Sequence, residues 1–258
     1  MNRIRNKLVL ITGASSGIGE ACARRFAEEG ANLVLWARRV DRIQDIANEL
    51  VSRFDASVRT QAIDVRDRAA VFDAIEALAA EGAVPDVLVN NAGLARGMAK
   101  FYEADPNDWD EMIDTNLKGL LNVSRAVVPH MVRLNRGHVI NIGSTAAHLT
   151  YPNGNVYSAT KFAVRALSEG MNLDLVGTAV RVTCVDPGFV ETEFSVVRFH
   201  GDEERAKNVY HGFRPLTGAD VADSIAYVAN LPDHMNILDV VVVPTAQRNV
   251  YVVDRAAT

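Results

Sequence analysis

The chain has 258 residues, 48% of them hydrophobic and 23% charged, a composition that predicts a folded protein with a large core and excludes long disordered or low-complexity segments. Its formal net charge of −5 at pH 7 argues against nucleic acid and against an anionic membrane surface as partners, because both usually select a basic face. Cys22 and Cys184 are far apart in apolar stretches, which favours buried thiols in a reducing compartment over a disulfide, so we expect a cytoplasmic protein.

Short β-branched runs alternate with longer segments of helical periodicity, which predicts a parallel sheet covered by helices on both faces. The first run follows an N-terminal segment that lacks the long apolar core of a signal peptide, and we expect no membrane-spanning helix anywhere in the chain. The predicted strands are residues 7–12, 32–37, 57–63, 86–90, 137–143, 180–186 and 238–244. The predicted fold class is therefore α/β, a Rossmann-type doubly wound parallel sheet in a single domain, residues 1–258.

The first helix is predicted between residue 17 and Gly30. Ile18, Cys22 and Phe26 share one face of it, while glutamate and arginine take the other. Gly30 is placed to end this helix.

Two later helices are unusually long, at residues 106–135 and 155–176, and their apolar faces could also serve as a subunit interface. Residues 188–216 depart from the regular rhythm because they are rich in both aromatic and charged residues. Their position over the carboxyl ends of the strands predicts a substrate lid. We expect a nucleotide-binding half at about residues 1–95 and a catalytic half at about 96–258.

A glycine-rich loop, "TGASSGIG", follows the first strand and opens the first helix. Its glycines, Gly13, Gly17 and Gly19, are one residue off the Gly-x-Gly-x-x-Gly spacing of the ordinary dinucleotide fingerprint. Backbone N–H groups and the positive end of the helix dipole would converge there on an anion. The loop predicts a dinucleotide site, and its wider spacing sets Ser15 and Ser16 near the adenosine side.

The end of the second strand indicates which dinucleotide binds. A cofactor without a 2′-phosphate is usually met there by an Asp or Glu that bonds the ribose hydroxyls, but the sequence reads "WARR". Arg38 and Arg39 offer guanidinium forks suited to a phosphate dianion, although two arginines after a strand can also be a solvated helix start. Combined with Ser15 and Ser16, they predict NADP as the cofactor.

The next two strand ends add weaker signals. Asp64 could accept a hydrogen bond from the adenine amino group or could cap the following helix, and the sequence leaves both roles open. "NNAG", residues 90–93, ends the fourth strand with small residues that would let a ribose lie close to the backbone.

A group of polar residues at the same edge of the sheet points to proton transfer. Tyr157 and Lys161 are four residues apart at the start of a predicted helix, and an adjacent ammonium ion favours the phenolate. Ser144 follows the fifth strand, where its hydroxyl can bond a substrate oxygen while Tyr157 exchanges a proton with it. Asn116 lies among apolar neighbours, and its amide could hold a water beside Lys161 or be satisfied by its own helix.

The glycine loop, "NNAG", Asn116, Ser144, Tyr157, Lys161 and "DPGFVET" together resemble the short-chain dehydrogenase/reductase family across nearly the whole chain. The resemblance implies a seven-stranded parallel sheet, hydride transfer to or from C4 of the nicotinamide, and a homotetramer packed through the two long helices. It implies that Tyr157 is the general acid/base, that Lys161 bonds the nicotinamide ribose and depresses the tyrosine pKa, that Ser144 orients the carbonyl and that Asn116 belongs to a proton relay.

The resemblance also implies that four residues after the sixth strand line the nicotinamide. The full set of predicted cofactor-binding residues is Gly13, Ser15, Ser16, Gly17, Ile18, Gly19, Arg38, Arg39, Asp64, Val65, Asn91, Ala92, Gly93, Tyr157, Lys161, Pro187, Gly188, Val190 and Thr192.

A narrower likeness concerns the substrate. "INIGSTA", "GTAVRVT" and "TEFSVVRFHGD" are similar to NADP-dependent 3-hydroxy acid dehydrogenases, which oxidise serine, allo-threonine and related acids, and to a cousin group that reduces sulfoacetaldehyde. Either substrate is small and anionic, so the pocket should contain a cation. Arg198 is the candidate, with pairing to Asp202 or Glu203 as the alternative, and we expect His148 and Tyr151 at the pocket mouth.

Two further expectations concern chemistry of other classes. The histidines are scattered without a metal-ligand spacing, which predicts no catalytic metal. An NADP-binding sensor or scaffold that has kept the fold and lost the chemistry is the alternative to an enzyme, because fold alone does not guarantee activity. Such a protein would lack at least one of the catalytic residues, whereas Ser144, Tyr157, Lys161 and Asn116 are all present here.

Overall fold

The computed structural model describes residues 2–256, which form helices around a main parallel sheet. The strands are β1 (Leu8–Thr12), β2 (Asn32–Ala37), β3 (Val58–Ala62), β4 (Val87–Asn90), β5 (Gly137–Ile142), β6 (Val180–Pro187), β7 (Val190–Glu191), β8 (Leu216–Thr217) and β9 (Asp239–Val242). The helices are α1 (Gly17–Glu28), α2 (Val40–Phe54), α3 (Arg68–Ala80), α4 (Pro106–Ile113), α5 (Leu120–Arg133), α6 (Asn155–Asp174), α7 (Phe194–Arg198), α8 (Glu203–Asn208) and α9 (Gly218–Ala229). Each of the seven predicted strands is present, with ends that differ by two residues at most.

The main sheet has seven strands in the order β3-β2-β1-β4-β5-β6-β9, and every neighbouring pair is parallel. The short strands β7 and β8 pair separately. Because the strand order reverses between β1 and β4, a crevice opens at their carboxyl ends, where ligands bind in open sheets of this kind. The prediction of a doubly wound, seven-stranded Rossmann-type sheet is confirmed.

Side chains alternate along the strands and build an apolar layer on each face of the sheet. Val9 and Ile11 of β1 pack in a buried cluster with α1, α2 and α9. Leu10 of β1 and Trp36 of β2 point the other way, into a cluster with α3 and α5. The two layers bury both faces of the sheet.

The predicted long helix at 106–135 is interrupted. Pro106 begins α4, the side chain of Asp105 caps it, and a π-helical turn at Asp114–Gly119 then leads into α5. The hydrophobic period of the sequence did not show this turn, because one extra residue shifts the period only slightly. Wide turns of this type are frequent at functional sites, and this one carries Asn116.

The predicted lid region, residues 188–216, contains β7, α7 and α8. Two hydrogen bonds join it to the loop after β4: Arg96 Nη1 donates to the carbonyl of Val197 at 2.7 Å, and the Gly97 N–H donates to the carbonyl of Arg198 at 2.9 Å. The segment therefore lies over the carboxyl edge of the sheet.

Both cysteines, Cys22 and Cys184, are buried and unpaired, as expected, and burial raises the pKa of each thiol. Between residues 2 and 256, no helix has the length and apolar character needed to cross a bilayer.

Candidate active site

A cleft of about 760 Å³ opens at the carboxyl edge of the sheet, beneath the lid region. Its size suits a dinucleotide with a small second ligand. The predicted site residues that line it are Gly13, Ser15, Ser16, Gly17, Ile18, Arg38, Arg39, Asp64, Val65, Asn91, Ala92, Gly93, Ser144, Tyr151, Tyr157, Lys161, Pro187, Gly188, Val190, Thr192 and Arg198. Gly19, Asn116 and His148 lie outside the lining.

The glycine loop is held by the strand beside it. Asn91 Nδ2 donates to the carbonyls of Thr12 and Gly13, at 2.9 and 3.2 Å. Gly19 lies directly under this contact, and a Cβ there would be 2.5 Å from both Asn91 Nδ2 and the Gly13 carbonyl oxygen. Gly19 is therefore required for the close packing of the loop on α1, because any side chain would push the loop away from this helix.

Arg39 joins the glycine loop to the lid region. Its Nε donates to Ser15 Oγ at 3.1 Å, one Nη donates to Ser16 Oγ at 2.8 Å, and the other pairs with Glu193 at 2.9 Å. Arg42 pairs with the same carboxylate at 2.6 Å. The predicted serine–arginine cluster is thus assembled, whereas Glu193 was not predicted because it is remote from these residues in the chain.

Arg38 supplies a second cation at the same place. Within residues 2–256, no carboxylate lies within ion-pair distance of its guanidinium group, and the residue is exposed at the cleft. Two guanidinium groups and two hydroxyls form a donor set that fits a phosphate dianion.

Asp64 lines the cleft and does not cap a helix. Its carboxylate accepts hydrogen bonds from the Arg66 side chain and the Arg66 N–H, and the side-chain bond is the main reason that the pKa of Asp64 is lowered. The cap of α3 is Asp67, which accepts from the Ala70 N–H. The structure thus removes the capping alternative.

Ser144, Tyr157 and Lys161 face the cleft from β5 and α6. Ser144 Oγ accepts from the Ala146 N–H at 3.1 Å. Lys161 Nζ donates to the carbonyl of Ile142 at 2.8 Å and lies 5.9 Å from the centroid of the Tyr157 ring. The register of β5 and the first turns of α6 therefore bring the three side chains together.

The electrostatics of Tyr157 differ from the expectation that Lys161 depresses its pKa. Burial raises the pKa of Tyr157 above its ordinary value, and the Arg198 guanidinium and the hydrogen bond with Ser144 only partly oppose this effect. Burial also lowers the pKa of Lys161 to about 8. Arg198 is therefore the cation that lowers the pKa of Tyr157. The ammonium group of Lys161 is instead hydrogen bonded to the Ile142 carbonyl.

Asn116 is buried behind the cleft. Its Oδ1 accepts from the Leu94 N–H and its Nδ2 donates to the Leu94 carbonyl, both at 2.8 Å, with a further bond to Thr160 at 3.1 Å. The amide therefore fixes the loop after β4. The alternative of an amide satisfied by its own helix is wrong, because these partners belong to other segments.

Arg198 lies beside Tyr157 in the cleft. Its guanidinium carbon lies 5.0 Å from the centroids of both the Tyr157 and Phe194 rings, and one Nη donates to Tyr151 Oη at 3.0 Å. The alternative of pairing with Asp202 or Glu203 is not what the structure shows: neither carboxylate is within ion-pair distance of Arg198, and Asp202 caps α8 through the Arg205 N–H. Among residues 2–256, no ion pair involves Arg198, so its charge remains available in the cleft.

His148 does not reach the pocket mouth, and this prediction is wrong. Its Nε2 lies 2.5 Å from a carboxylate oxygen of Asp186, a fully buried residue at the end of β6. The short turn after Ser144 directs the imidazole toward that strand, and a turn direction of this kind is not encoded in residue spacing.

The C-terminal segment adds cleft residues that the sequence reasoning missed. Gln247, Tyr251 and Arg255 line the cleft, and Gln247 Oε1 accepts from the Phe189 N–H at 3.0 Å. No hydrophobic period or motif marks this segment. Its contacts with the lid region arise only in the folded chain.

An anion-binding loop at the switch point of a parallel sheet, with a Ser-Tyr-Lys group in the same cleft, defines a dinucleotide-dependent oxidoreductase. Comparison with known proteins agrees: the family described as short chain dehydrogenase matches residues 7–202. The chain belongs to this family.

Similar proteins include the NADP-dependent 3-hydroxy acid dehydrogenase YdfG of Salmonella typhi, 48% identical over 93% of this chain and 96% of the relative. Sulfoacetaldehyde reductase 2 of Chromohalobacter salexigens is 44% identical over 96% of this chain and 98% of its own length. Among solved structures, the closed form of serine dehydrogenase complexed with NADP⁺ has a TM-score of 0.88 and 46% identity, covering 93% of this chain and 96% of the other.

Proposed function

We propose that this chain is an NADP-dependent oxidoreductase that interconverts a small anionic hydroxy compound, such as serine, allo-threonine or 3-hydroxypropionate, and its carbonyl form. The observation that carries the proposal is the Arg198 guanidinium, 5.0 Å from the Tyr157 ring centroid and without a carboxylate partner in the described chain. A cation beside the acid/base tyrosine favours a substrate with an anionic group close to its hydroxyl. The similarity to a 3-hydroxy acid dehydrogenase and to a serine dehydrogenase supports the same substrate class.

The cleft residues fit NADP by their chemistry. The glycine loop and the N-terminus of α1 would hold the pyrophosphate, and Arg38, Arg39 and the two serines would hold the 2′-phosphate. Asp64 and Val65 would face the adenine, residues 91–93 the ribose, and residues 187–192 the nicotinamide. When bound, the cofactor supplies or accepts the hydride at C4 of its nicotinamide.

Proton transfer falls to Tyr157. In the oxidising direction its phenolate takes the hydroxyl proton of the substrate, and in the reducing direction its phenol returns one to the carbonyl oxygen. Ser144 Oγ would hydrogen bond the same substrate oxygen, Lys161 would bond the nicotinamide ribose, and Asn116 would belong to a proton relay while it fixes the loop after β4. Arg198 would pair with the substrate anion and, through its charge, favour the phenolate.

Removing the phenol tests this assignment. Tyr157→Phe keeps the ring and its packing but cannot exchange a proton, so kcat for NADP-linked oxidation of the hydroxy acids should fall by about 10²- to 10⁴-fold. NADPH binding, measured by fluorescence titration, should be unchanged. Retained turnover in the variant would remove Tyr157 from its role. A wild-type protein that binds NADPH but turns over no short hydroxy acid, aldehyde or ketone tested would favour the sensor or scaffold.

A sulfonate substrate is the second candidate, because a relative of 44% identity is named as a sulfoacetaldehyde reductase and a guanidinium fork pairs with a sulfonate as well as a carboxylate. Ranking kcat/KM for serine, allo-threonine, 3-hydroxypropionate, 3-hydroxyisobutyrate, malonic semialdehyde and sulfoacetaldehyde separates the two. A sulfoacetaldehyde value above all carboxylates would select the sulfonate reaction.

A further inference from the structure

A buried carboxylate lies directly behind the catalytic serine. Asp186, at the end of β6, has no exposed surface, and its Oδ1 accepts from the Ser144 N–H at 2.9 Å and from Cys184 Sγ at 3.3 Å. Its Oδ2 accepts from His148 Nε2 at 2.5 Å, since a carboxylate only accepts and the imidazole must donate. A charge this deeply buried persists only with such partners.

The residue before Ser144 is shaped around this carboxylate. A Cβ at Gly143 would lie 1.7 Å from Asp186 Oδ1, so the carboxylate fills the space that a side chain would take. Ser144 can therefore follow β5 in its observed position only because position 143 has no side chain.

Asp186 also spans the short turn that carries the serine. Ser144 Oγ caps the 3₁₀ turn Thr145–Ala147, and His148 ends it. One carboxylate oxygen binds the first residue of this segment through its N–H, and the other binds the last residue through its imidazole. We therefore expect that a shift in either hydrogen bond to Asp186 would rotate the Ser144 hydroxyl relative to Tyr157.

The charge of Asp186 reaches the other catalytic groups. Burial is the main cause of both shifts, raising the pKa of Tyr157 and lowering that of Lys161 to about 8; the Asp186 charge adds to the first and offsets part of the second. On its outer side, Asp239 of β9 lies 3.9 Å from His148 Nε2 and 3.5 Å from Arg165 Nε of α6. Burial, followed by contact with Asp186, raises the pKa of Asp239.

We propose that His148 and Asp186 form a positioning pair, in which His148 holds the Asp186 carboxylate and Asp186 holds Ser144 in register with Tyr157 while setting the charge behind both. The proposal rests on the proposed function, because it takes Ser144 and Tyr157 as the catalytic residues. Neither member of the pair touches the substrate. Both act through Ser144 and through the electrostatics of the cleft.

Asp186→Asn isolates the charge. Asparagine still accepts from the Ser144 N–H and can donate to His148, so the turn keeps its hydrogen bonds while the negative charge is lost. The pKa of Tyr157 should then fall, and the pH profile of kcat/KM for alcohol oxidation should move to lower pH than in the wild type. An unmoved profile in a folded variant with wild-type NADPH affinity would overturn this part of the proposal.

Two variants of similar size at His148 test the geometry separately from the charge. They also provide the test if Asp186→Asn does not fold. His148→Gln can still donate to the carboxylate, whereas His148→Leu, of similar size, cannot. The leucine variant should lose about 10- to 100-fold in kcat, the loss typical of small misplacement in an active site, while the glutamine variant stays near the wild type and NADPH affinity is unchanged in both. Equal kcat in the two variants would contradict the pair.

A bound metal would produce a different pattern, since His148, Asp186 and Asp239 bring one ligand atom each within 4.8 Å of one another. Activity that is lost with EDTA and restored by a divalent cation would overturn the proposal in favour of that site. Unchanged activity in EDTA supports the hydrogen-bonded pair.

A readout without turnover separates this proposal from the proposed function. The ultraviolet phenolate band of Tyr157 is obtained as the wild-type spectrum minus that of Tyr157→Phe, and likewise in the Asp186→Asn background. If the wild type oxidises none of the hydroxy acids, the proposed function fails, yet the Tyr157 midpoint should still be lower in the Asp186→Asn background than in the wild-type background. Identical midpoints would contradict the pair whatever the substrate.

Discussion

Arginine side chains bring positive charge to both ends of a cleft in a protein of net charge −5. Arg38 and Arg39 lie at the glycine loop, and Arg198 lies against Tyr157 at the other end. Each cation is placed by neighbours of defined chemistry: two serine hydroxyls hold Arg39, while two aromatic rings and Tyr151 hold Arg198. At the scale of single residues, these cations would suit a ligand phosphate at the glycine loop and, as we propose, a smaller anion beside Tyr157.

The phosphate end can be tested by cofactor preference. Arg38→Ala with Arg39→Ala should raise KM for NADP by about 10- to 100-fold and leave KM for NAD nearly unchanged, because only NADP loses charge-assisted hydrogen bonds. Arg42→Ala is the matched control, since Arg42 shares the Glu193 carboxylate but does not line the cleft. An equal effect on NADP and NAD would rule out this phosphate site.

The sequence could predict the position of a side chain only where the local secondary structure determines the direction in which that side chain points. Strand ends and helix spacing place Ser15, Arg39 and Tyr157 at one edge, so their meeting was predictable. His148 was misplaced because a short turn can direct its side chain either way. Asp186 was read only as part of a motif flanking the nicotinamide, since a contact with Ser144, 42 residues away, has no local signature.

At the scale of elements, the glycine loop, α1 and β4 behave as one unit. Asn91 binds the loop from the end of β4, and Gly19 lets α1 approach that contact. The strands were predictable because buried parallel strands are continuous apolar runs. The π-helical turn at Asp114–Gly119 was not, because one extra residue barely shifts the hydrophobic period and its contact between Asn116 and Leu94 is tertiary.

Gly19→Ala tests this unit. The added methyl would meet the Gly13 carbonyl and Asn91 Nδ2, so unfolding should become easier by about 1 to 3 kcal/mol and NADPH should bind more weakly. Gly170→Ala in α6 is the control, because a Cβ there meets no atom within 4 Å, and it should be neutral or stabilising by up to about 1 kcal/mol. Thermal unfolding with and without NADPH measures both; equal behaviour of the two variants would contradict the packing argument.

At the scale of the whole molecule, the sheet brings residues from both halves of the chain to one cleft, and the lid region and the C-terminal segment contribute to its lining. Exposed apolar side chains on α5 and α6, including Leu121, Val132, Phe162 and Leu173, agree with the predicted packing of a homotetramer through these helices. The tetramer and the cytoplasmic location remain predictions. The central claim is that the residues of this cleft oxidise or reduce a small anionic substrate with NADP as the cofactor.

Charge selectivity at Arg198 tests that claim most directly. NADP-linked oxidation of 3-hydroxypropionate is compared with that of 1,3-propanediol, which has an uncharged hydroxymethyl group in place of the carboxylate, in the wild type and in Arg198→Gln. The wild type should prefer the acid in kcat/KM, and the variant should lower that preference by about 10- to 100-fold, the value of a charge-assisted contact. Because the comparison is a ratio, a general effect of Arg198 on the pKa of Tyr157 cancels. A wild type that prefers the diol, or a ratio that the substitution leaves unchanged, would contradict the account.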